Sequence, residues 1–281
     1  ADLDKLRFFK DLGFDRISFG VQSLNDAELR AVGRIHTANE ALDAITVAEK
    51  AGFTRVSADL IYGLPEQSLQ TLKTSLQNLT AAGLQHLSVY GLTIEKNTPL
   101  AGMLDKGKVE LPDEDCQLAM YELVQEYLEA QGLHRYEISN YAKPGFESRH
   151  NLGYWSHIPY LGVGLNASSY LDEKRFENPS DMKDYLEIQS FGDAYEGARS
   201  LSVYEQMEEF MFLGLRKTKG ISKKEFIERF GCSMDSVYGK PLIESMKQGM
   251  MKEEGDRVFL TQDGTLVSNQ VLCEFLFDEE V

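Results

Sequence analysis

The sequence predicts an α/β fold of parallel strands with crossover helices, followed by a smaller winged-helix-like domain. Three observations carry that expectation. Short alternating apolar segments take turns with helical ones through the first half of the chain, glycines punctuate the joins, and from about residue 201 the pattern becomes helical with one small hairpin. At 281 residues, 42% hydrophobic and 26% charged, the chain is long enough for one large core and a smaller second domain.

The chain opens in a helical pattern, Leu3, Leu6, Phe8, Phe9 and Leu12, stopped by Gly13. The strand RISFGV, Arg16 to Val21, alternates Ile17, Phe19 and Val21 with Arg16, Ser18 and Gly20, and a helix capped at Asn25 or Asp26 follows. A second helix, ANEALDAITVAEKAGF, lines up Ala41, Leu42, Ile45 and Ala48 and stops at Gly52. The strand TRVSADLIY ends in the turn Gly63, Leu64, Pro65; then come the helix SLQTLKTSLQNLTAAG and the strand HLSVYGL, His86 to Leu92. This order fits both a doubly wound open sheet and a TIM-type barrel, and no Gly-rich phosphate loop argues for the first. A helix starts at Pro112 to Asp115, and HRYEISNYAKPG reads as one short strand running into a turn. The stretch SRHNLGYW, Ser148 to Trp155, shows neither helical nor strand period, and the Gly-punctuated YLGVGLNASSY follows it. Its large rings must bury against something, which places the stretch across the mouth of the sheet rather than in an idle linker.

Composition excludes some functions. The formal net charge of −16 disfavours a nucleic-acid track, since phosphate binding needs clustered Lys and Arg. No apolar run approaches the roughly 20 residues that span a bilayer, and no signal-peptide pattern opens the chain, so a cytoplasmic protein is expected. Cys116, Cys232 and Cys273 lie far apart among apolar neighbours, with neither a disulfide framework nor a metal-ligand spacing, and read as small buried hydrophobes.

The polar residues at C-terminal strand ends point to a site, because parallel α/β folds build sites from the loops that converge there. Gln22 and Thr93 follow strands; Asp59 sits inside an otherwise apolar strand, on the face shared with Ser57 and Ile61. A carboxylate in a strand must be paired or desolvated at a cost, which favours function over a merely satisfied side chain. For Gln22 and Thr93 alone a structural role explains as much, and Arg34, in GRIHT, has solvation or helix capping as its ordinary reading.

Taken together, RISFGVQSLNDAELRAVGRIHT, ADLIYGLPEQS, LSVYGLTIEKNTPL, YEISNYAKPG and HNLGYW resemble the oxygen-independent coproporphyrinogen III oxidase family of radical S-adenosylmethionine proteins. The pattern His-Asn-any-any-Tyr-Trp is similar to the branch described as heme chaperones. The resemblance extends over nearly the whole chain and implies a partial TIM-type parallel β/α barrel over residues 1–200 and a winged-helix-like domain over 201–281. It implies an S-adenosylmethionine pocket in which Asp59 accepts from the ribose hydroxyls, Arg34 faces the methionine carboxylate and Gln22 lines the wall; Thr93 and Ser168 fall on the adenine side as less exact matches.

Family members also hold a 4Fe–4S cluster on a Cys-x-x-x-Cys-x-x-Cys loop after the first barrel strand, because one iron must stay open to bind the cofactor. That motif is not in this sequence, and Cys116, Cys232 and Cys273 cannot replace it at their spacings. The expectation is that the first strand–helix units, with the cluster, are absent from this polypeptide, which by itself would then perform no radical chemistry. An inactive natural paralogue is the alternative. On the first account RISFGV becomes an exposed edge with unpaired backbone groups, which invites homodimerisation or aggregation.

The resemblance also implies heme or porphyrin, and a heme-accepting protein, as partners. His150 could ligate heme iron, Tyr154 and Trp155 could offer flat apolar surface, and Arg149 could meet a propionate. The competing reading has His150 and Asn151 pinning the loop while Trp155 plugs the barrel end; His36, His86, His134 and His157 stay open as ligands. From Leu201 onward ten Lys and Arg face fifteen Asp and Glu, so the last domain reads as a lid or docking surface rather than a DNA-binding module. A heme-trafficking protein is therefore expected, with a porphyrinogen oxidase as the alternative and a winged-helix regulator as a remote one.

Overall fold

The computed structural model describes residues 1–188 and 197–277, and internal contacts divide the chain into two compact units, Ala1–Glu147 and Ser148–Val281. The first unit begins with α1 (Leu3–Asp11), β1 (Arg16–Gln22), α2 (Asp26–Ala31), α3 (Ala38–Lys50), β2 (Arg55–Tyr62), α4 (Leu69–Ala81) and β3 (His86–Gly91). It continues through α5 (Pro99–Leu104), α6 (Glu114–Ala130), β4 (His134–Arg135) and β5 (Asn140–Ala142). The strands form one sheet in the order β1-β2-β3-β5-β4, with β1, β2 and β3 parallel.

Local chemistry sets the helix starts. Thr37 accepts from the Glu40 amide while the Glu40 carboxylate accepts from the Thr37 amide, a reciprocal cap that begins α3. Asn25 caps α2 and Asp113 caps α6 through their side-chain oxygens.

Parallel alternation stops at β3. HRYEISNYAKPG makes two strands, β4 and β5, and β5 runs antiparallel to β3. The reason is chain length: four residues separate β4 from β5, enough for a hairpin, whereas a parallel return needs a crossover of a dozen or more.

The two-residue period of the strands sorts the sheet into two faces. Val56, Ala58, Leu60, Leu87 and Val89 point into a core built with α3, α4 and α6, where Ala58, Leu60, Leu72, Leu76, Leu79 and Leu87 are wholly shielded from solvent. On the other face, register aligns Ser18 with Ser57 and His86, and Gly20 with Asp59, Ser88 and Asn140. The polar strand residues thus form two rows across the sheet. Truncating the shielded Leu76 to Ala is expected to cost about 2–5 kcal/mol, lowering the urea midpoint without changing its slope.

The second unit starts with α7 (Arg149–Trp155), so SRHNLGYW is helical after all. Seven residues are too few to display an apolar period, and the start signal is Ser148, whose hydroxyl accepts from the Asn151 amide. A three-stranded antiparallel sheet follows, β6 (Ser168–Leu171), β7 (Lys174–Glu177) and β8 (Arg199–Ser200), with α8 (Met182–Glu187) between β7 and β8. Next come α9 (Val203–Gly214), β9 (Ile221–Ser222), α10 (Lys223–Phe230), α11 (Met234–Lys247), β10 (Met251–Glu254) and β11 (Arg257–Leu260). The short α12 (Gln262–Leu266) and α13 (Ser268–Cys273) close the described part. The expected hairpin is β10 and β11, extended by β9 into a three-stranded sheet. Buried residues from Met207 to Phe275, Phe226 among them, form a core of their own.

Candidate functional site

The strand ends of the first unit gather three of the expected site residues. Gly20 pairs in register with Asp59, and between Gly20 and Gln22 the register slips, so that Val21 stays in the core while Gln22 is re-aimed. A Cβ on Gly20 would lie 2.9 Å from Gln22 Nε2 and 3.7 Å from Arg34 Nη2, so both side chains occupy the space that this glycine leaves open. Registered neighbours on parallel strands share a face, which puts Asp59 beside them. Asp59 accepts from Ser18 Oγ at 3.1 Å. Neither the Gln22 amide nor the Arg34 guanidinium has a hydrogen-bond or ion-pair partner among the described residues. A carboxylate, an amide and a guanidinium thus converge with bonding capacity to spare.

Farther along the same face lies a second polar group that single-residue reasoning missed. His86 is 3% exposed, with Nδ1 at 2.6 Å from Ser57 Oγ and 3.5 Å from Arg16 Nη2, and Nε2 at 2.8 Å from Tyr136 Oη. Burial, and secondarily Arg16 and Arg55, hold its pKa down at about 3, so the ring is neutral. Glu137, 1% exposed, accepts from the Ser139 amide and from the Asn140 side chain, and Tyr90, 41% exposed, stands nearby with its pKa raised by burial. The signal was in the sequence, since YEISNYA carries a carboxylate and an amide beside a strand. Only the register brings them to Ser88 and Asp59.

The other expected residues lie elsewhere. Thr93 is exposed in the irregular segment after β3, and Ser168, exposed on β6 of the second unit, donates to Glu177 at 3.1 Å. A cleft of about 490 Å³ runs beside β1, lined by Phe19, Gly20, His36 and Ala44, next to the three converging side chains rather than over them.

In the second unit α7 presents Arg149 and His150 to solvent. The His150 ring meets Tyr154 edge-on at 4.5 Å, Tyr154 meets Tyr160 at 4.6 Å, and the imidazole makes no hydrogen bond among the described residues. Trp155 is covered on its ring by Arg216 at 4.5 Å, so less of its surface is free than the sequence suggests. The other histidines are engaged: His36 with the Val21 carbonyl, His86 as above, His134 with Glu129, and His157 stacked on Phe210. Ile158, Leu161 and Val163 are 58%, 56% and 82% exposed, an apolar run just after α7.

A mostly parallel sheet with polar groups at its C-terminal strand ends is the arrangement in which α/β proteins build ligand sites. Residues 1–79 match the Radical SAM superfamily profile, and residues 201–267 match that of the HemN C-terminal domain. The solved coproporphyrinogen III oxidase HemN of Escherichia coli, a radical SAM enzyme, has this fold: TM-score 0.76 over 98% of this chain and 67% of that one, at 19% identity. Among curated proteins, the heme chaperone HemW of Bacillus subtilis is 39% identical over 97% of this chain and 72% of its own length. That of Lactococcus lactis is 35% identical over 98% and 72%, and that of Escherichia coli 32% over 98% and 72%. The chain belongs to the HemW heme chaperone family, a radical SAM family related to coproporphyrinogen III oxidase.

Radical SAM families use S-adenosylmethionine and a 4Fe–4S cluster. The unpartnered Gln22 and Arg34 beside Asp59 suit the first: a cation for its carboxylate and a carboxylate for its diol. For the cluster the fit fails among the described residues. Cys116 lies on α6, Cys232 and Cys273 lie in the other unit, and no group of three His, Cys, Asp or Glu is placed to hold a metal. No helix among the described residues is long and apolar enough to cross a membrane.

Proposed function

We propose that the protein handles heme and holds S-adenosylmethionine at the strand ends of its first unit. The observation that carries the cofactor site is the convergence of Gln22 and Arg34 over Gly20, with Asp59 alongside. Arg34 binds the methionine carboxylate, Asp59 accepts from the ribose hydroxyls, and Gln22 lines the wall, while Thr93 is assigned to the adenine side. S-Adenosylmethionine, when bound with a cluster, supplies reductive cleavage to a radical; the residues of this chain only bind and orient it.

The heme reading rests on α7. His150 offers an exposed imidazole and Arg149 a cation for a propionate, neither side chain hydrogen-bonded among the described residues, and Tyr154 with Ile158, Leu161 and Val163 offers apolar surface for a macrocycle. Residues 201–277 serve as a docking surface for a heme-accepting protein, and the β1 edge, which has no strand beside it among the described residues, would be the surface of a homodimer. Titrating the protein with hemin is expected to give a Soret band that weakens in His150→Ala. An equal band in His150→Ala and in the wild type would remove His150 from the iron. Calorimetry with S-adenosylmethionine tests the other half, and absence of binding would overturn it. A porphyrinogen oxidase activity is the second reading, supported by the fold shared with HemN.

A further inference from the structure

We infer that Glu28, a carboxylate completely withdrawn from solvent, is the positioning residue that holds Gln22 in the cofactor site. The inference rests on the pocket assignment above.

Gln22 has φ of +65°, a conformation that an L residue adopts at a cost, and it is the middle of a three-residue turn closed by the Ser23 N–H donating to the Val21 carbonyl at 2.8 Å. Such a turn persists only when its surroundings over-determine it. Here the surroundings are specific. Ser23, also shielded from solvent, donates through Oγ to Glu28 Oε2 at 2.6 Å and accepts from the Asn25 amide at 2.9 Å. The Leu24 amide donates to Ser75 Oγ at 3.1 Å, and His36 Nε2 lies 3.1 Å from the Val21 carbonyl. The same Glu28 oxygen accepts from Gln67 Nε2 at 3.2 Å, and Gln67 Oε1 accepts from the amides of Gly63 and Leu64 at 2.7 and 3.3 Å. Gln67 Nε2 also donates to the Ile61 carbonyl at 3.1 Å. Glu28 therefore ties the end of β1 to the end of β2, the two strands that carry Gln22 and Asp59.

As a device for stability alone, Glu28 is a poor choice. Its second oxygen, Oε1, is buried without a partner among the described residues, and a buried carboxylate with half its capacity unmet costs more than an apolar side chain of its size. What the carboxylate provides is one acceptor that two different strand ends can share, which fixes the turn at Gln22 relative to Asp59.

The test compares S-adenosylmethionine affinity, by calorimetry, in Gln22→Ala, Glu28→Leu, Glu28→Gln and the double variant Gln22→Ala/Glu28→Leu, alongside urea midpoints. Glu28→Leu is expected to weaken binding about tenfold, the loss of one well-placed hydrogen bond, and to match Gln22→Ala. The double variant should then bind no worse than either single one, because both remove the same contact. Glu28→Gln keeps an acceptor for Ser23 and should restore most of the affinity. Should Glu28→Leu fail to fold, Ser23→Ala deletes the same link. A shift of the urea midpoint with unchanged affinity, or additive losses in the double variant, would overturn the positioning role. If Gln22→Ala itself binds normally, it is the pocket assignment that fails.

Discussion

Replacing Asp59 or Arg34 by Ala is expected to weaken S-adenosylmethionine binding by about 10- to 150-fold each, the equivalent of about 1.5–3 kcal/mol for a hydrogen bond to a charged group. The two losses should differ in character. Arg34 is exposed and its guanidinium is bonded to nothing among the described residues, so its removal should leave stability within about 0.5 kcal/mol of wild type, and added salt should shrink its share of binding. Asp59 is half-buried and already bonded to Ser18, so Asp59→Asn is the better probe: it keeps the shape and removes the charge proposed to order the diol. Calorimetry at two ionic strengths separates them. Unaltered affinity in both variants would dismiss the strand-end pocket, whatever the heme results.

Stability is expected to fall steeply below about pH 6.5, by about 2 kcal/mol per buried histidine between pH 6.5 and 5.0. His86 and His157 are both held neutral, with pKa values near 3 and 4, by burial first and then by the arginines and lysine around them: Arg16 and Arg55 for His86, Arg229, Lys217 and Arg175 for His157. The sign follows from proton uptake. In the unfolded chain a histidine protonates below about 6.5, in the folded one only near 3 or 4, so lowering the pH feeds protons to the unfolded state and draws the equilibrium toward it. Stability contributed this way is complete above about 6.5 and drains as pH falls toward the folded values. The histidines sit in different units, and the chain's one tryptophan, Trp155, belongs to the unit of His157. Fluorescence-detected urea midpoints at pH 7.5 and 5.0 therefore follow His157, and circular dichroism follows both. His157→Leu should flatten the fluorescence-detected difference, and His86→Gln the remainder. Equal midpoints at the two pH values in the wild-type protein would refute the argument.

The strand ends were legible because their chemistry is local. Asp59 stood out as a carboxylate in an apolar strand, and strand, turn and cap residues announced where its strand stopped. Arg34 and Gln22 had an ordinary explanation taken singly, and that both lie beside the space over Gly20 is visible only in the structure. The helix at HNLGYW was missed because about two turns carry no clear period, leaving the capping Ser148 as its sole mark. Glu28 and Glu137 were missed, and His86 was read only as an open ligand, because burial of a polar side chain is not written in its neighbours along the chain.

By itself the sequence determined the order of elements from α1 to β3, the apolar face of those strands, the acidic character of the last domain and the family, since these depend on residues a few positions apart or on motifs read in line. The tertiary structure alone decided that β5 returns antiparallel, that Trp155 lies under Arg216, and that Ser23, Glu28 and Gln67 lock two strand ends together. Each of those depends on strand register or on burial, and both are set by partners that lie tens of residues away and become neighbours only when the sheet closes over its core.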